Sequence, residues 1–252
     1  MIIVCSLFGV AILFLLYMVK EAFSNRILEH HLHFDKPANS RKTRIFFISD
    51  IHRRMIAEKI IDELSGNTDI VIIGGDLTEG KVPFSRIRRN LEKLSSLGPV
   101  YFVRGNNDYE ANIGKLETLL TEFGVTILNN TSVLYKTLDG ASIHLIGIDD
   151  LAEGSPDLES AVSTAGNSGI RLLISHNPKI IESIRDDHQI DLVLSGHTHG
   201  GQIRFLGFGL YEKGGMKKFG KTLLFVSNGY GTTALPLRLG AKAQTHLFSL
   251  YY

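Results

Sequence analysis

Five short apolar runs in this chain each lead into polar residues, and this repeated arrangement restricts the folds that it can adopt. The runs occupy residues 45–48, 70–73, 100–103, 172–174 and 192–194. Continuous apolar runs of this length predict strands that are buried on both faces. Since ligands of open α/β sheets gather at the carboxyl ends of such strands, we expect the five polar segments to converge in space.

Segments with helical periodicity lie between the runs. Residues 56–64 and 84–94 each place apolar side chains on one helical face and are followed by a glycine, and residues 113–123 show the same pattern. Alternating strands and helices predict βαβ units. The pair Asp139-Gly140 instead predicts a tight hairpin between two strand-like runs. The expected fold is therefore α/β, with one mixed sheet or two packed sheets.

An uncharged apolar run covers residues 2–19. As a helix it would be about 27 Å long, close to the thickness of a bilayer core. We predict a transmembrane helix or uncleaved signal anchor over residues 1–20, a polar juxtamembrane linker over residues 21–43, and one folded domain over residues 44–252.

The predicted linker carries charges that bear on topology. Lys20, Arg26 and Lys36 all follow the apolar run, so the positive-inside rule favours a single-pass protein of the cell membrane with a cytoplasmic-facing domain. Export after cleavage of a signal peptide is the alternative, although such signals normally begin with positive charge. The cluster His30-His31-Leu32-His33 is interpreted as solvated linker rather than as a metal-binding tract.

Charge and cysteine content exclude several classes of site. The formal net charge is +1, and no basic stripe is evident, which disfavours nucleic acid as a partner. Cys5 is the single cysteine, so the chain can form neither an intramolecular disulfide nor a thiolate-rich zinc site. The sequence leaves the oligomeric state open.

The polar segments hold oxygen and imidazole ligands. They are Asp50-Ile51-His52, Gly75-Asp76, Gly105-Asn106-Asn107-Asp108, Ser175-His176-Asn177 and Gly196-His197-Thr198-His199. In an extended segment, residues two apart project to one side, so Asp50 and His52 are expected to reach the same cation. Alone, such a pair is more often a capping aspartate beside a surface histidine. The two histidines of the glycine-flanked fifth segment are the sharpest single signal.

The order and content of the five segments resemble the calcineurin-like metallophosphoesterase family over about residues 44–252. Residues 175–178, 199–202 and 229–238 further resemble a bacterial branch of membrane-linked phosphodiesterases. The resemblance implies a layered α/β/β/α sandwich with mixed sheets, preceded here by one transmembrane helix. It also implies a phosphoester substrate, cleaved at a phosphodiester or pyrophosphate bond by a metal-bridging hydroxide.

The resemblance further implies a two-metal site. Asp50, His52 and His199 would hold one divalent ion, and Asp76 would bridge it to a second ion. The remaining ligands of the second ion would be Asn106, His176 and His197. Oxygen and imidazole ligands without thiolates suit Mn²⁺, Fe²⁺ or Zn²⁺.

One position departs from the family pattern. The family has a histidine after the metal-binding asparagine, and here that residue is Asn107. An amide donates a hydrogen bond but cannot act as a general acid near neutral pH, so acidic leaving groups are favoured. Asp108, which would support that histidine, is either a catalytic or a purely structural residue.

Alternatives remain open at this point. Because position 107 is an asparagine, an alternative function is a catalytically silent metal-binding module that recognises a phosphorylated partner at the membrane. A nuclease on the same scaffold is disfavoured by the near-neutral charge. The membrane helix suggests a lipid-linked or nucleotide-linked substrate, an inference from relatives alone. Arg53 and Arg54 are interpreted as surface residues rather than phosphate ligands.

Overall fold

Two six-stranded sheets form the centre of the protein. The computed structural model describes residues 2–34, 42–137 and 140–252. The first sheet has the order β1-β12-β2-β3-β4-β5 and the second β10-β11-β9-β8-β7-β6. The strands of the first sheet are β1 (Arg26–His33), β2 (Lys42–Ile48), β3 (Ile70–Gly74), β4 (Val100–Val103), β5 (Thr126–Ile127) and β12 (Gln244–Tyr251). Those of the second are β6 (Thr131–Lys136), β7 (Ser142–Gly147), β8 (Ile170–Ile174), β9 (Leu192–Ser195), β10 (Gly215–Phe219) and β11 (Thr222–Val226).

Helices complete the layers. The α-helices are α1 (Ile2–Ala22), α2 (Glu58–Leu64), α3 (Phe84–Ser95), α4 (Ile113–Glu122) and α5 (Leu158–Ser163). Short 3-10 helices span Asn106–Glu110, Pro178–Ser183, Asp186–His188 and His199–Gly201. The three helical segments predicted from periodicity are thus α2, α3 and α4.

The continuous apolar runs are explained by burial on both faces of each strand. In β2, Ile45 and Phe47 pack in the core between the sheets, while Phe46 and Ile48 pack in the core beneath α2, α3 and α4. A third core lies between the second sheet and α5. Both sheets contain parallel and antiparallel pairs. The predicted α/β/β/α sandwich with mixed sheets is confirmed.

The hairpin prediction is also confirmed. Strands β6 and β7 pair antiparallel from Thr131 opposite Gly147 to Lys136 opposite Ser142. Gly140 has a φ of +86°, which a glycine adopts without steric cost. Asp139 itself lies outside the described residues.

The segment predicted as a polar linker contains a strand. Strand β1 pairs in parallel with β12, so its backbone covers what would otherwise be an exposed sheet edge. His30 is half-buried, stacks on Phe248 with ring centroids 4.7 Å apart, and places Nε2 3.1 Å from His246 Nδ1. The solvated-histidine interpretation is therefore wrong for His30. The polar composition of residues 26–33 does not predict a strand. The segment becomes a strand through pairing with β12, which is more than 200 residues away in the sequence. Lys36 is outside the described residues, and the predicted domain limits stay predictions.

Helix α1 meets the folded body through its last turn. From Val4 to Ala22 its mean hydropathy of 1.9 makes it long and apolar enough to cross a membrane. Side chains before Met18 are mostly exposed, whereas Met18, Glu21 and Ala22 are buried. The Met18 carbonyl accepts the Arg238 N–H at 3.1 Å.

Arg54 fixes the same helix end from the other side. Its guanidinium donates to the carbonyls of Ala22 (3.1 Å), Ser24 (2.9 Å) and Tyr230 (2.6 Å), and lies 3.7 Å from the centroid of the Tyr230 ring. Arg54 is thus a structural residue that caps helix carbonyls rather than a free phosphate ligand.

Buried His246 makes the stability of the fold sensitive to acid. Burial first, then neighbouring His30 and Arg26, hold its pKa well below the usual value, and the Ser227 hydroxyl lies 2.9 Å from Nε2. The unfolded chain therefore takes up a proton as the pH falls through about 6.5, while the folded chain does not. Between pH 7.5 and 5.5 we expect this group to remove about 1 kcal/mol from the free energy of unfolding.

The measurement is urea unfolding of the full chain in detergent at both pH values, compared with His246→Gln. The variant should be less stable at pH 7.5 but should lose about 1 kcal/mol less than the wild type on acidification. Equal losses in the two proteins would contradict this role for His246.

Candidate metal centre

Each polar segment lies at the carboxyl end of a strand. Asp50 follows β2, Asp76 follows β3 and Asn106 follows β4, while His176 follows β8 and the pair His197 and His199 follows β9. The two sheets face each other, so the loops of both reach one edge of the sandwich. The structure brings these seven residues together there, and their role as metal ligands stays a prediction.

Five of these residues have an unusual backbone. Positive φ angles of 50–70° occur at Asp50, His52, Asp76, His197 and His199. Left-handed conformations of non-glycine residues cost about 1–3 kcal/mol each and concentrate at functional sites. The expectation that Asp50 and His52 converge from an extended segment is therefore wrong. They converge because the chain turns sharply at both residues.

The first group of ligand atoms comprises Asp50, His52 and His199, all buried. His199 Nε2 lies 3.3 Å from Asp50 Oδ1 and 3.1 Å from His52 Nε2. Asp50 is held in place by the Ser49 hydroxyl, which donates to Oδ2 at 2.6 Å, and by the His197 N–H, which donates to Oδ1 at 3.0 Å.

The second group contains Asp50, Asp76 and His176. His176 Nε2 lies 3.2 Å from Asp76 Oδ2, and Nδ1 lies 2.9 Å from the Gly74 carbonyl. Only a protonated Nδ1 can donate to that carbonyl, so this contact fixes the ring with Nε2 facing the site. Nearby, His197 Nδ1 lies 3.0 Å from Asn106 Oδ1.

Asp76 lies between the two groups. Its Oδ2 is 3.6 Å from His52 Nε2 and 3.2 Å from His176 Nε2. The structure therefore places both Asp50 and Asp76 within reach of either group of histidines, whereas the sequence had singled out Asp76 alone as the shared carboxylate.

Glycines make this density of side chains possible. A Cβ on Gly75, whose φ is +86°, would lie 2.5 Å from His176 Nδ1. A Cβ on Gly196 would lie 2.4 Å from Asp50 Oδ2. Both contacts are too short for any side chain, so the glycines of these segments are required by close approach.

Electrostatics favour cations at this site. Burial alone would raise the pKa of Asp76, but His176 and His52 lower it, so the carboxylate stays ionised. Burial opposes protonation of His176, yet Asp76 raises the pKa of that ring to about 10. Burial, with smaller contributions from His52 and Arg238, lowers the pKa of His199 to about 3. The buried carboxylates of Asp50 and Asp76 therefore attract positive charge. Protonated His176 supplies one such charge, whereas His199 stays neutral.

The residues fit divalent metal ions. Imidazole nitrogens and carboxylate oxygens converge within 4.8 Å of one another in each group, and buried His176 Nε2 has the carboxylate of Asp76 3.2 Å away. Two ring nitrogens 3.1 Å apart, at His52 and His199, must share a proton that a metal ion would displace. The donor set lacks sulfur and suits borderline or hard ions.

Sequence reasoning missed Glu79. Its carboxylate is buried, lies 3.2 Å from His52 Nδ1 and also pairs with the Arg53 guanidinium. A carboxylate behind a histidine orients the ring and increases its basicity as a ligand. No motif marks this residue, since its role depends on the loop after β3 passing beside the loop after β2.

Arg238 is a second residue whose role at the site was not predicted from the sequence. It is fully buried and donates to the carbonyls of Asn228 (2.7 Å), Gly231 (2.6 Å) and Ala241 (2.9 Å), while Nη2 lies 3.1 Å from His199 Nδ1. It therefore organises the loop that closes over the first ligand group.

Asn107 and Asp108 are both directed toward the Asp76 loop. The Asn107 amide donates to Asp76 Oδ2 at 2.7 Å, and its N–H donates to Oδ1 at 2.9 Å. Asp108 is fully buried and accepts the N–H groups of Asp76 (2.8 Å), Thr78 (3.0 Å) and Gly105 (2.9 Å). These contacts favour the structural role for Asp108 over contact with a substrate.

A cleft of about 660 Å³ is lined by Arg53, which follows His52 in the chain, but by none of the seven predicted ligands. It is bounded by Ala22 and Phe23 at the end of α1, by Arg53 and Arg86, and by residues 230–232. Most of the Arg53 side chain is exposed (61%), so it can still turn toward a ligand in the cleft.

Comparison with known proteins agrees with the geometry. The sequence profile of the Calcineurin-like phosphoesterase family matches residues 43–201. The uncharacterized protein YpbG of Bacillus subtilis (strain 168) is 42% identical over 92% of this chain and 90% of its own length. The phosphodiesterase YaeI of Escherichia coli (strain K12) is 28% identical over 89% of this chain and 87% of its own.

A solved structure shares the fold. The NAD nucleotidase NadN of Haemophilus influenzae superposes with a TM-score of 0.54 at 17% identity. The match covers 77% of this chain but 46% of that larger protein. At this level of identity the likeness shows the fold alone.

Loss of the Glu79 carboxylate should weaken metal binding without removing a ligand. For Glu79→Ala we expect a decrease of about 10–100-fold in metal affinity, because the His52 ring loses the group that orients it. The measurement is competition of the metal-stripped full chain with a chelating dye for Mn²⁺ or Zn²⁺.

Glu110→Ala is the matched control, since Glu110 Oε2 accepts the Gly80 N–H at 3.1 Å and thus supports the same loop from outside the site. This variant should keep the wild-type affinity. Equal affinities in all three proteins would show that Glu79 does not act on His52.

Proposed function

The chain belongs to the calcineurin-like phosphoesterase family and is a hydrolase of phosphoric esters, and from this premise we propose that it cleaves phosphodiester or pyrophosphate bonds at a centre of two divalent metal ions. One observation carries the proposal: two groups of buried ligand atoms meet at the adjacent carboxylates of Asp50 and Asp76. A structural ion pair would need neither two carboxylates nor four converging histidines.

The ligand assignment follows the geometry. One ion would be held by Asp50, His52 and His199, and the second by Asn106, His176 and His197, with Asp76 between them. Its Oδ2 lies within 3.6 Å of a histidine nitrogen from each group, which supports that bridging position. When bound, two ions in such a site clamp the phosphoryl group and lower the pKa of a water that attacks in line. Mn²⁺, Fe²⁺ and Zn²⁺ all suit this donor set.

The protein positions these ligands through backbone contacts. Asp108 ties the N–H groups of Asp76 and Gly105 together, so the loops after β3 and β4 cannot separate. Asn107 donates from its backbone N–H and from its side-chain amide to the two oxygens of Asp76, which fixes the carboxylate orientation. Neither residue is placed to donate a proton to a leaving group. We therefore favour substrates whose leaving group departs without protonation, such as a phosphate or an acidic alcohol.

The substrate is proposed to be amphiphilic. The cleft beside the first ligand group is lined by the end of α1, and α1 is apolar enough to lie in a membrane. A phosphoester with a lipid or nucleotide moiety could place its phosphorus at the metal centre and its other part in this cleft. The exposed guanidinium of Arg53 is available to a second phosphate.

The second candidate is a silent module that binds a phosphorylated partner at the membrane. Asn107 favours this candidate, because its amide donates to Asp76 Oδ2 at 2.7 Å and cannot act as a general acid. Turnover of any phosphoester would exclude it.

The test is an assay of the full chain in detergent after removal of metal. We expect cleavage of bis(p-nitrophenyl) phosphate that requires added Mn²⁺ or Zn²⁺ and exceeds cleavage of p-nitrophenyl phosphate. Asp76→Ala should fall to background, because both proposed ions would lose the carboxylate that they share. Asp62→Ala, an exposed carboxylate on α2, should keep full activity. Bound metal without any turnover would instead support the silent module.

A histidine at position 107 should restore the missing acid. We expect Asn107→His to increase the rate on aryl diesters with poor leaving groups by about 10-fold or more, since general acids contribute about 10²–10⁴-fold when well positioned. Good leaving groups should respond little. The measurement is the dependence of kcat/KM on leaving-group pKa, which should become shallower.

Asn107→Ala is the control, because it loses the 2.7 Å bond to Asp76 Oδ2 without gaining an acid. It should lower the rate on all esters alike. An unchanged or lowered rate of Asn107→His on poor leaving groups would contradict the proposed role of this position.

A further inference from the structure

An exposed apolar loop follows the last ligand histidine. Residues 203–211, here called the apolar loop, lie between the 3-10 helix at His199–Gly201 and β10. Most of its side chains are large and apolar, with exposures of 68% at Phe205, 82% at Leu206, 82% at Phe208 and 93% at Leu210. A soluble surface rarely concentrates such side chains on one loop, so the loop marks an interaction site.

Several backbone polar groups of the apolar loop are hydrogen-bonded within the loop. The N–H groups of Phe205 and Phe208 each donate to the other residue's carbonyl at 2.9 Å, which closes a tight turn over Leu206-Gly207. Arg204 donates to the carbonyls of Gly200 (3.1 Å) and Gly207 (2.5 Å) and to that of Tyr211. Backbone groups paired in this way tolerate an environment without water.

The loop begins close to the docked end of α1. Residues 238–240 run between them: the Arg238 N–H donates to the Met18 carbonyl at 3.1 Å, and the Leu239 N–H donates to the Gln202 carbonyl at 3.0 Å. Successive N–H groups of an extended segment point in opposite directions, so α1 and the loop flank this segment within about 10 Å of each other.

The apolar surface of α1 continues to the edge of the body. Leu15, Leu16 and Tyr17 are 45–58% exposed, and Met18 directly after them is buried against the body. No polar spacer separates the two, so a bilayer around α1 would reach within about one helical turn, 5.4 Å, of the body surface. The start of the apolar loop lies at that surface.

Charge around the loop fits a lipid surface. The hairpin of β10 and β11 beside it carries three exposed lysines, Lys217, Lys218 and Lys221, and exposed Lys213 lies just before it; Lys217 pairs with Glu212. Tyr211 and Lys217 line one shallow depression, which places hairpin and loop side by side. Apolar residues flanked by lysines are typical of segments that lie in the interface of an anionic membrane.

We propose that the apolar loop is a bilayer-docking surface, which inserts Phe205, Leu206, Phe208 and Leu210 into the membrane that α1 spans. The docked body would then face the membrane with the side that carries His199. The proposal does not depend on catalysis, but it does depend on α1 lying in the bilayer.

The absence of tryptophan from the sequence makes a direct test possible. Phe208→Trp in the full chain, reconstituted into vesicles of phosphatidylglycerol and phosphatidylcholine, places the single tryptophan of the protein in the loop, where it can be excited selectively over the tyrosines. We expect blue-shifted emission that acyl-brominated lipid quenches by about half or more, because interfacial segments lie about 5–10 Å below the headgroup boundary. Aqueous iodide should quench it weakly.

Leu134→Trp is the matched control, since Leu134 is 46% exposed on β6 at the opposite edge of the second sheet from β10. It should respond to iodide and not to brominated lipid. Leu210→Trp provides a second position in the loop in case Phe208→Trp disturbs it. Loop tryptophans quenched by iodide like Trp at 134 would overturn the proposal. Tryptophans shielded from both quenchers would overturn it too, and would indicate a protein cover.

Discussion

The rest of this structure depends on two buried carboxylates, Asp50 and Asp76, that are held side by side. Neither can leave its place, because each is bonded to backbone N–H groups of another loop. In a low-dielectric environment, like charges this close repel strongly unless cations lie between them. Without metal, His176 supplies a positive charge, since Asp76 raises its pKa to about 10. The fold therefore preorganises a site that favours cations, and it does so without a bound metal ion.

The surrounding loops carry the strain that this arrangement requires. Left-handed backbone at five ligand residues and glycines at van der Waals limits can persist only if the strands below them are rigid. Both faces of those strands are buried in apolar cores, which supplies that rigidity. The stable sheets thus hold the ligand side chains in fixed positions, as expected for ligands placed on rigid elements.

Much of this could be predicted from sequence, because strand runs and their terminal polar residues are local patterns. The apolar runs predicted β2, β3, β4, β8 and β9, and the motifs predicted which side chains would meet. What was missed depends on contacts between distant segments. Glu79 and Arg238 acquire roles only when loops from different strands lie side by side. The histidine-rich strand β1 looks like linker until β12 is beside it.

That pairing of the first and last strands sets an order of assembly. His30 and His246 are in contact although 216 residues separate them. During synthesis, β1 emerges before β12, so this edge of the first sheet stays unpaired until the segment between the two strands has been made. Contacts at such long range close slowly. Until β12 pairs with them, the edges of β1 and β2 stay unpaired, so these edges are the parts of the nascent domain most in need of a chaperone.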